Sequence, residues 1–218
     1  MSREPDLDEH ASAGAPQGQR RARSRRPAAA GAARSSPIER YDRESIQVRE
    51  YDPEAPAVAR RVTELIAVAC PGAVAEHVGS SAVPGLAGKG IVDLLLPTPA
   101  EDVAEVADAL VAAGFQRQTI ADAFPPSRPM LQGAIRHRGK RYRLHVHVVP
   151  ASSGELESMR GFRDALRADQ ALRHGYVALK QDIVARGLTD PGDFTHAKRD
   201  FIAEALRRLG LQSNDPPG

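Results

Sequence analysis

The chain has 218 residues, of which 41% are hydrophobic, and a formal net charge of +2. This length allows one domain of ordinary size, and the nearly balanced charge excludes a protein whose whole surface is built to coat nucleic acid. The single cysteine, Cys70, excludes an internal disulfide, and no run approaches the roughly 20 apolar residues that a membrane-spanning helix needs, so we expect a soluble, cytoplasmic protein with no membrane partner.

The excess positive charge lies in the first 40 residues, which contain eight Arg against five acids. Residues 1–42 are rich in Ala, Gly, Ser, Pro and Arg and have no hydrophobic periodicity, so they predict a disordered tail. Within it, the Arg cluster at 18–27 either contacts RNA or lipid or is only a solvated linker or leader. We expect an ordered domain over residues 43–211 and a second disordered tail over 212–218.

In the ordered part, strands are predicted first and helices afterwards. After a short extended segment at 46–48, the apolar periodicities predict helices over 55–69 and 101–113 and strands over 74–78, 90–96, 115–120, 130–137 and 141–149. Pro97 is expected to end the second strand. Beyond Pro150 the spacing becomes helical, and Ser152 and Asp193 are the expected caps of the first and last of three helices. This order predicts an α+β fold, a small mixed β-sheet with packed helices and a C-terminal helical bundle.

The second hairpin strand carries residues suited to chemistry. Because side chains alternate faces along a strand, Tyr142 and its alternate neighbours face the core, and the other face carries Arg141, Arg143, His145 and His147. Two Arg suit an anion, and two His suit proton transfer or metal ligation. The alternative is an ordinary solvated outer face.

Asp93 stands in the middle of an apolar strand, where a carboxylate must be paired or bind a cation. It is either a structural acid that pairs with an Arg or caps a loop, or a metal ligand or base. If the neighbouring strands are adjacent in space, His77, Asp93, His145 and His147 converge, and such a set suits a divalent transition metal.

A glycine-rich turn precedes the Asp93 strand. Gly79-Ser80-Ser81 is a weak phosphate-loop signal, because the Gly-Lys-Ser/Thr of a Walker loop does not follow it. Lys89, at the end of the same loop, is well placed to reach a phosphate or is an ordinary surface lysine. Lys198, beside apolar residues of the last predicted helix, points into a cleft or covers apolar surface with its stem.

These residues resemble a known family. The stretch Glu76–Leu96, EHVGSSAVPGLAGKGIVDLLL, is similar to the hallmark of the GrpB family, and the resemblance extends over roughly residues 45 to 210 through YDPEAP, LHVHV, FRDALRAD and the positions of Lys180 and Lys198. The family looks like a branch of the polymerase-beta-type nucleotidyltransferase fold. The resemblance implies a Gly-Ser turn that holds a nucleotide triphosphate, here Gly79-Ser80, and magnesium-binding acids spaced by one residue on the next strand.

The sequence departs from this pattern at the acids. Leu95 stands where the second acid of the pair is expected, and the later strand supplies His145 and His147 where the third is expected. A two-magnesium mechanism requires carboxylates that bridge both ions, whereas one Asp with His is a softer site.

Three hypotheses remain open. The first is a nucleotidyltransferase-like transferase that binds a nucleotide or another phosphorylated small molecule. Its phosphate would be held by Gly79, Ser80, Lys89, Arg143, Lys180 and Lys198. In this hypothesis Asp93, with His145 or His147, ligates a divalent cation (Mg, Mn or a transition metal) or acts as a base. The second is a non-catalytic nucleotide-binding module, and the third is an accessory protein whose Arg-rich tail recruits RNA.

Overall fold

A computed structural model describes residues 36–119 and 124–211. Most of the tail predicted over 1–42, including the Arg cluster at 18–27, and the whole tail predicted over 212–218 lie outside the described residues. None of the helices within the described ranges has both the length and the apolar character needed to cross a membrane.

One mixed β-sheet organises the described part of the chain. Its strands are β1 (Glu76–Val78), β2 (Ile91–Thr98), β3 (Gln116–Arg117), β4 (Met130–His137) and β5 (Lys140–Pro150). They lie in the spatial order β1-β2-β5-β4-β3, with β2 and β5 parallel and the other neighbours antiparallel. The short strand predicted over 115–120 is β3, and residue 120 itself lies outside the described residues.

Helices surround this sheet, as the sequence predicted. They are α1 (Ala55–Ala69), α2 (Val103–Ala112), α3 (Gly154–Ala168), α4 (Gln170–Ala185), α5 (Pro191–His196) and α6 (Arg199–Arg208). The predicted α+β class, a small mixed sheet with packed helices and further helices at the C-terminal end, is confirmed.

Two predicted helix caps are wrong by a few residues. The side chain of Ser153, not Ser152, accepts a hydrogen bond from the backbone N–H of Glu155 at the start of α3. Asp190, not Asp193, caps α5 by accepting a hydrogen bond from the backbone N–H of Gly192. The residue after this cap is a proline, which is favoured in the first helical turn because its missing N–H would have no helical partner there. The last predicted helix is divided into two, since α5 ends at His196 and α6 begins at Arg199.

The second strand also continues further than predicted. Pro97 and Thr98 remain in β2 and lie opposite Val149 and Pro150 of β5. Proline is tolerated here because β1 pairs with β2 only as far as Leu95. Beyond that point one edge of β2 has no partner among the described strands, so no ladder hydrogen bond is lost on that side.

Residues 36–49, which we call the strap, correct the predicted boundary of the disordered tail. Glu39 forms an antiparallel bridge with Ala134 of β4, and Arg49 forms one with Gly88. The strap therefore begins beside β4 and ends beside the loop that precedes β2. Backbone pairing of this kind requires no apolar periodicity, which is why composition placed residues 36–42 in the tail.

The two faces of the sheet have different partners. Alternate β5 side chains from Tyr142 to Val148 are buried in the main core with residues of α1 and α2, as the alternation predicted. On the opposite face, Leu95 and Val149 pack against Leu156 of α3. Asp93 and the two β5 histidines also lie on this second face, because they alternate with the core-facing residues of their strands.

Candidate phosphate and metal site

The parallel pairing of β2 and β5 brings three candidate ligands together. Asp93 lies directly beside His145, and His147 is two residues further along β5 on the same face. The Oδ1 atom of Asp93 is 3.2 Å from Nδ1 of His145 and 3.8 Å from Nε2 of His147. One ligand atom from each residue lies within 4.8 Å of the other two. Two imidazoles and one carboxylate thus converge on a single point.

His77 does not join this group. In the antiparallel register of β1 and β2, Val78 lies opposite Asp93, and His77 lies opposite Leu94, whose side chain belongs to the main core. The Nε2 atom of His77 is instead 3.0 Å from Oγ of Ser81. Burial lowers the pKa of His77 to about 4, so its ring is neutral at neutral pH.

The turn between β1 and β2 lies against the carboxylate of Asp93. Gly79 has a φ of 71°, and a Cβ atom placed on it would lie 2.5 Å from Oδ2 of Asp93. Only glycine combines this backbone conformation with so close an approach. Ser80 follows at the start of a short 3₁₀ helix (Ser80–Ala82), and its Oγ atom accepts a hydrogen bond of 3.3 Å from Nζ of Lys180.

Buried cations gather beside this turn. Arg143 is 8% exposed and donates to the carbonyl oxygen of Lys89 over 3.1 Å. Lys180 is 1% exposed and donates to the carbonyl oxygen of Ala87 as well as to Ser80. Charges withdrawn from water in this way are costly unless an anion or strong acceptors compensate them. The sequence-predicted residues Ser80, Lys89, Asp93 and Arg143 line one common cleft.

Lys198 lies further along, on the C-terminal side of this group. Its Nζ atom is 4.8 Å from the ring centroid of Phe194, and Nζ of Lys89 is 5.8 Å from the same centroid. The phenyl ring of Phe194 therefore lies near both ammonium groups, at distances typical of cation–π contacts.

The model of the family described as GrpB protein matches residues 45–208. The chain belongs to the GrpB family. The crystal structure of the conserved protein GrpB from Enterococcus faecalis superposes with a TM-score of 0.58 at 22% identity, covering 75% of this chain and 99% of that one. That likeness shows the shared fold.

Two bacterial proteins and one polymerase structure are also similar to this chain. A UPF0157 protein of Pseudomonas aeruginosa is 32% identical, over 80% of this chain and 72% of its own length. One from Streptomyces coelicolor is 34% identical, over 62% of this chain and 68% of its own. The Cid1 poly(U) polymerase superposes at a TM-score of 0.47 and 12% identity, covering 69% of this chain and 49% of that one.

The charge states of this GrpB-family site suit a cation. Burial raises the pKa of Asp93, but the adjacent imidazoles of His145 and His147 outweigh it and hold the pKa well below its usual range. Burial also lowers the pKa of His145, against the opposing effect of Asp93. At neutral pH the carboxylate is therefore ionised and the His145 ring neutral, which are the forms that ligate metal ions.

The pKa of Lys180 also differs from that of an exposed lysine. Burial, together with the nearby ammonium group of Lys89, lowers the pKa of Lys180 to about 7. Burial lowers the pKa of Lys89 as well, although Asp93 opposes that change. Lys180 is consequently only partly protonated at neutral pH and would gain a full charge beside an anion.

Three residues near the site were missed in the sequence. The hydroxyl of Tyr41, on the strap, is 3.2 Å from Nε2 of His145. The ring of Phe124 makes an edge contact with that of His147, with centroids 5.5 Å apart. On the strap, Glu44 has a carboxylate oxygen 3.6 Å from Nη2 of Arg143. The sequence did offer a cue for Tyr41. Residues 1–40 contain no Phe, Trp or Tyr, so Tyr41 is the first large aromatic side chain that could pack against the domain.

Proposed function

We propose that this GrpB-family protein binds a phosphorylated small molecule, with a nucleotide as the leading candidate, together with one divalent cation. The observation that carries the proposal is that two groups meet at one cleft, which Asp93 of the first group and Ser80, Lys89 and Arg143 of the second line directly. One group is a carboxylate with two imidazoles, and the other is a set of buried cations next to a glycine-serine turn. A metal ion and a phosphate ester are the ligands that satisfy both groups at once.

The donor set decides which cation fits. Asp93, His145 and His147 offer one hard oxygen and two nitrogen ligands, a combination that suits Mn²⁺ or Zn²⁺ better than the all-oxygen coordination of Mg²⁺. When bound, such an ion would supply Lewis-acid polarisation of a phosphoryl oxygen. The residues fit a single ion, because the three ligand atoms lie around one point.

The phosphate would lie beside Ser80 and the cations around it. Arg143 can offer a charge-assisted hydrogen bond, and Lys180 already reaches the Ser80 hydroxyl. Lys89 adds positive charge to the cleft, and Lys198 lies near it, since both ammonium groups lie over the ring of Phe194. In this proposal Gly79 allows the backbone of the turn to approach the ligand closely.

Two functions remain to be distinguished: a transferase that moves a group with the help of one cation, and a protein that binds the ligand without turnover. Leu95 favours the second, because it stands where a second metal-binding acid is expected and is fully buried with Val78, Val149 and Leu156. A carboxylate could not replace it without being desolvated. On the transfer alternative, whichever of Asp93, His145 and His147 does not hold the cation is the candidate to accept a proton from an attacking hydroxyl.

The test is a binding screen followed by product analysis. Calorimetry of the purified protein with Mn²⁺, Zn²⁺ and Mg²⁺, each with and without nucleoside triphosphates and pyrophosphate, should show binding of the anion that is strengthened by the preferred metal. Incubation followed by ³¹P NMR separates the two reactions, since only transfer releases pyrophosphate or phosphate. Absence of both metal and anion binding at millimolar concentration would overturn the proposal.

Neutralising Glu44, an acidic residue beside Arg143, tests the proposed anion site. Its carboxylate contacts both Arg143, at 3.6 Å, and Arg49, at 3.4 Å, and so competes with any incoming phosphate oxygen. The Glu44→Gln protein is expected to bind pyrophosphate about 3- to 10-fold more tightly than the wild type, because this half-exposed repulsion is screened by solvent and amounts to roughly 1 kcal/mol.

The control for this change is Glu101→Gln, which removes one exposed carboxylate away from the cleft. It is expected to leave the dissociation constant of pyrophosphate unchanged. The gain in the Glu44→Gln protein should shrink at high ionic strength. Equal affinities of the Glu44→Gln and wild-type proteins at low salt would remove Arg143 from the proposed anion site.

A further inference from the structure

Tyr41 makes a contact that the proposed metal site does not by itself explain. The ring of His145 is buried, and both of its nitrogens have partners: Nδ1 is 3.2 Å from the Asp93 carboxylate, and Nε2 is 3.2 Å from the Tyr41 hydroxyl. A neutral imidazole has one N–H group and one acceptor nitrogen. One of these two contacts must therefore be donated by His145 and the other accepted by it.

Without a cation, the direction of both hydrogen bonds is fixed by Asp93. An ionised carboxylate can only accept, so the proton of His145 must lie on Nδ1. The Nε2 atom is then an acceptor, and the Tyr41 hydroxyl donates to it.

With a cation held between Asp93 and His145, the direction must reverse. The ligand atom that His145 directs towards Asp93 is Nδ1, and a nitrogen that binds a metal cannot also carry a proton. The proton then lies on Nε2 and needs an acceptor, because metal-bound histidines donate their other N–H to a fixed partner. A hydroxyl serves both states, whereas a carbonyl can only accept and an ammonium can only donate.

We propose that Tyr41 is a positioning residue of the metal site, whose hydroxyl allows His145 to change from the Nδ1–H to the Nε2–H tautomer when a cation binds. This inference rests on the proposed function, since it requires the cation. It assigns a role in ligand binding to the strap, a part of the chain that approaches the site from outside the sheet.

Two hydrogen bonds from backbone N–H groups hold Tyr41 in place. The backbone N–H of Tyr41 donates to Oε1 of Gln116 over 2.7 Å, and the N–H of Glu39, two residues earlier in the strap, donates to the carbonyl oxygen of Ala134 over 2.7 Å. The rings of Tyr41 and His145 lie 5.5 Å apart between centroids, with an interplanar angle of 36°. Removing the hydroxyl alone should therefore leave the ring and the strap in position.

The test compares the full-length wild type with Tyr41→Phe. Calorimetric titration with Zn²⁺ is expected to give a dissociation constant about 10- to 100-fold weaker for the variant, the usual effect of removing a partner of a metal-bound histidine. In the wild type, two-bond ¹H–¹⁵N spectra, with His145 assigned through His145→Asn, should show Nδ1–H without zinc and Nε2–H with zinc. Tyr51→Phe is the matched control and should bind zinc like the wild type.

Each outcome separates the two proposals. If the wild type binds neither Zn²⁺ nor Mn²⁺, the metal site and the role of Tyr41 both fail. If the wild type binds zinc and Tyr41→Phe binds it equally well, or if His145 keeps Nδ1–H in the zinc complex, the role of Tyr41 is overturned and the metal site stands. The tautomer measurement on the wild type applies even if the variant is unstable.

Discussion

The Asp93→Asn protein is expected to bind Mn²⁺ or Zn²⁺ at least about 100-fold more weakly than the wild type, because the substitution removes the one charged ligand of the proposed site. Asparagine has nearly the shape of aspartate, so the close contact with Gly79 and a hydrogen bond with His145 can both be retained. Calorimetric titration with each metal measures the effect. Asp108→Asn, which alters an exposed carboxylate paired with Arg117, is the control.

The same substitution should change the acid sensitivity of the fold. Because the pKa of Asp93 is lower in the folded protein than in the unfolded chain, its ionised form contributes stability that is present above about pH 4 and is lost as the pH falls towards the lowered value. Chemical denaturation between pH 5 and 3 should therefore show a shallower decline for Asp93→Asn. Metal binding equal to the wild type would exclude Asp93 as a ligand, whatever the result for stability.

The meeting of Asp93 with His145 and His147 could be predicted because it depends on simple periodicities. Alternation along β5 places the two histidines on one face, and an acid within an apolar strand implies a partner. The register between β2 and β5 could not be predicted. These strands are parallel and joined through a long connection, so no tight turn fixes which residue lies beside Asp93.

His77 shows the limit of the same reasoning. The alternation within β1 is evident from the sequence, but its phase relative to β2 depends on the antiparallel register, and a shift of one residue exchanges the two faces. The structure places Val78 opposite Asp93, so His77 belongs to the face of α1. The face on which His77 lies is therefore decided by the register between β1 and β2, the strands on either side of the glycine-rich turn.

The first half of the strap, residues 36–42, escaped prediction for a different reason. Most residues of the strap are polar or charged, and it is held by backbone bridges to β4 and to Gly88 and by two buried isoleucines, Ile38 and Ile46, which are too far apart to form an apolar periodicity. Hydrophobic periodicity reports burial of side chains and carries no information about isolated backbone pairs. The contact of Tyr41 with His145 is therefore a tertiary feature, formed between segments about 100 residues apart.

Leu95 connects the fold with the choice between reactions. In the sequence it is simply the residue that replaces an expected acid, whereas in the fold it fills the space between the sheet and Leu156 of α3. Burial of this leucine stabilises the packing of α3 on the sheet by roughly 2 kcal/mol. The position therefore belongs to the apolar packing, and the polar chemistry of the second sheet face is concentrated at Asp93 and the two histidines.

The Lys180→Met protein is expected to bind pyrophosphate about 10- to 100-fold more weakly than the wild type, because a charge-assisted hydrogen bond from a buried cation contributes roughly 1.5–3 kcal/mol. Methionine retains most of the apolar stem beside Tyr176, whose ring centroid lies 4.5 Å from Nζ. Titration calorimetry at fixed metal concentration measures the change. Arg186→Met, which removes an exposed cation at the end of α4 paired with Asp182, is the control and should leave the affinity unchanged.

Proton uptake makes this prediction specific to Lys180. With a pKa of about 7, Lys180 is mostly neutral at pH 8, and an adjacent anion restores its charge, so binding should take up close to one proton, roughly 0.9. Calorimetry in two buffers of different ionisation enthalpy counts the protons exchanged, and uptake by the wild type should exceed that by Lys180→Met by close to one proton, because the protons that pyrophosphate itself exchanges are common to both proteins. The lowered pKa of Lys180 also links protonation to folding. The lysine of the unfolded chain titrates near pH 10.4, so between about pH 7 and 10 the unfolded chain binds one more proton than the folded protein. Wild-type stability should therefore rise with pH across that range. A variant that keeps the proton uptake and the pyrophosphate affinity of the wild type would show that the phosphate lies elsewhere in the cleft.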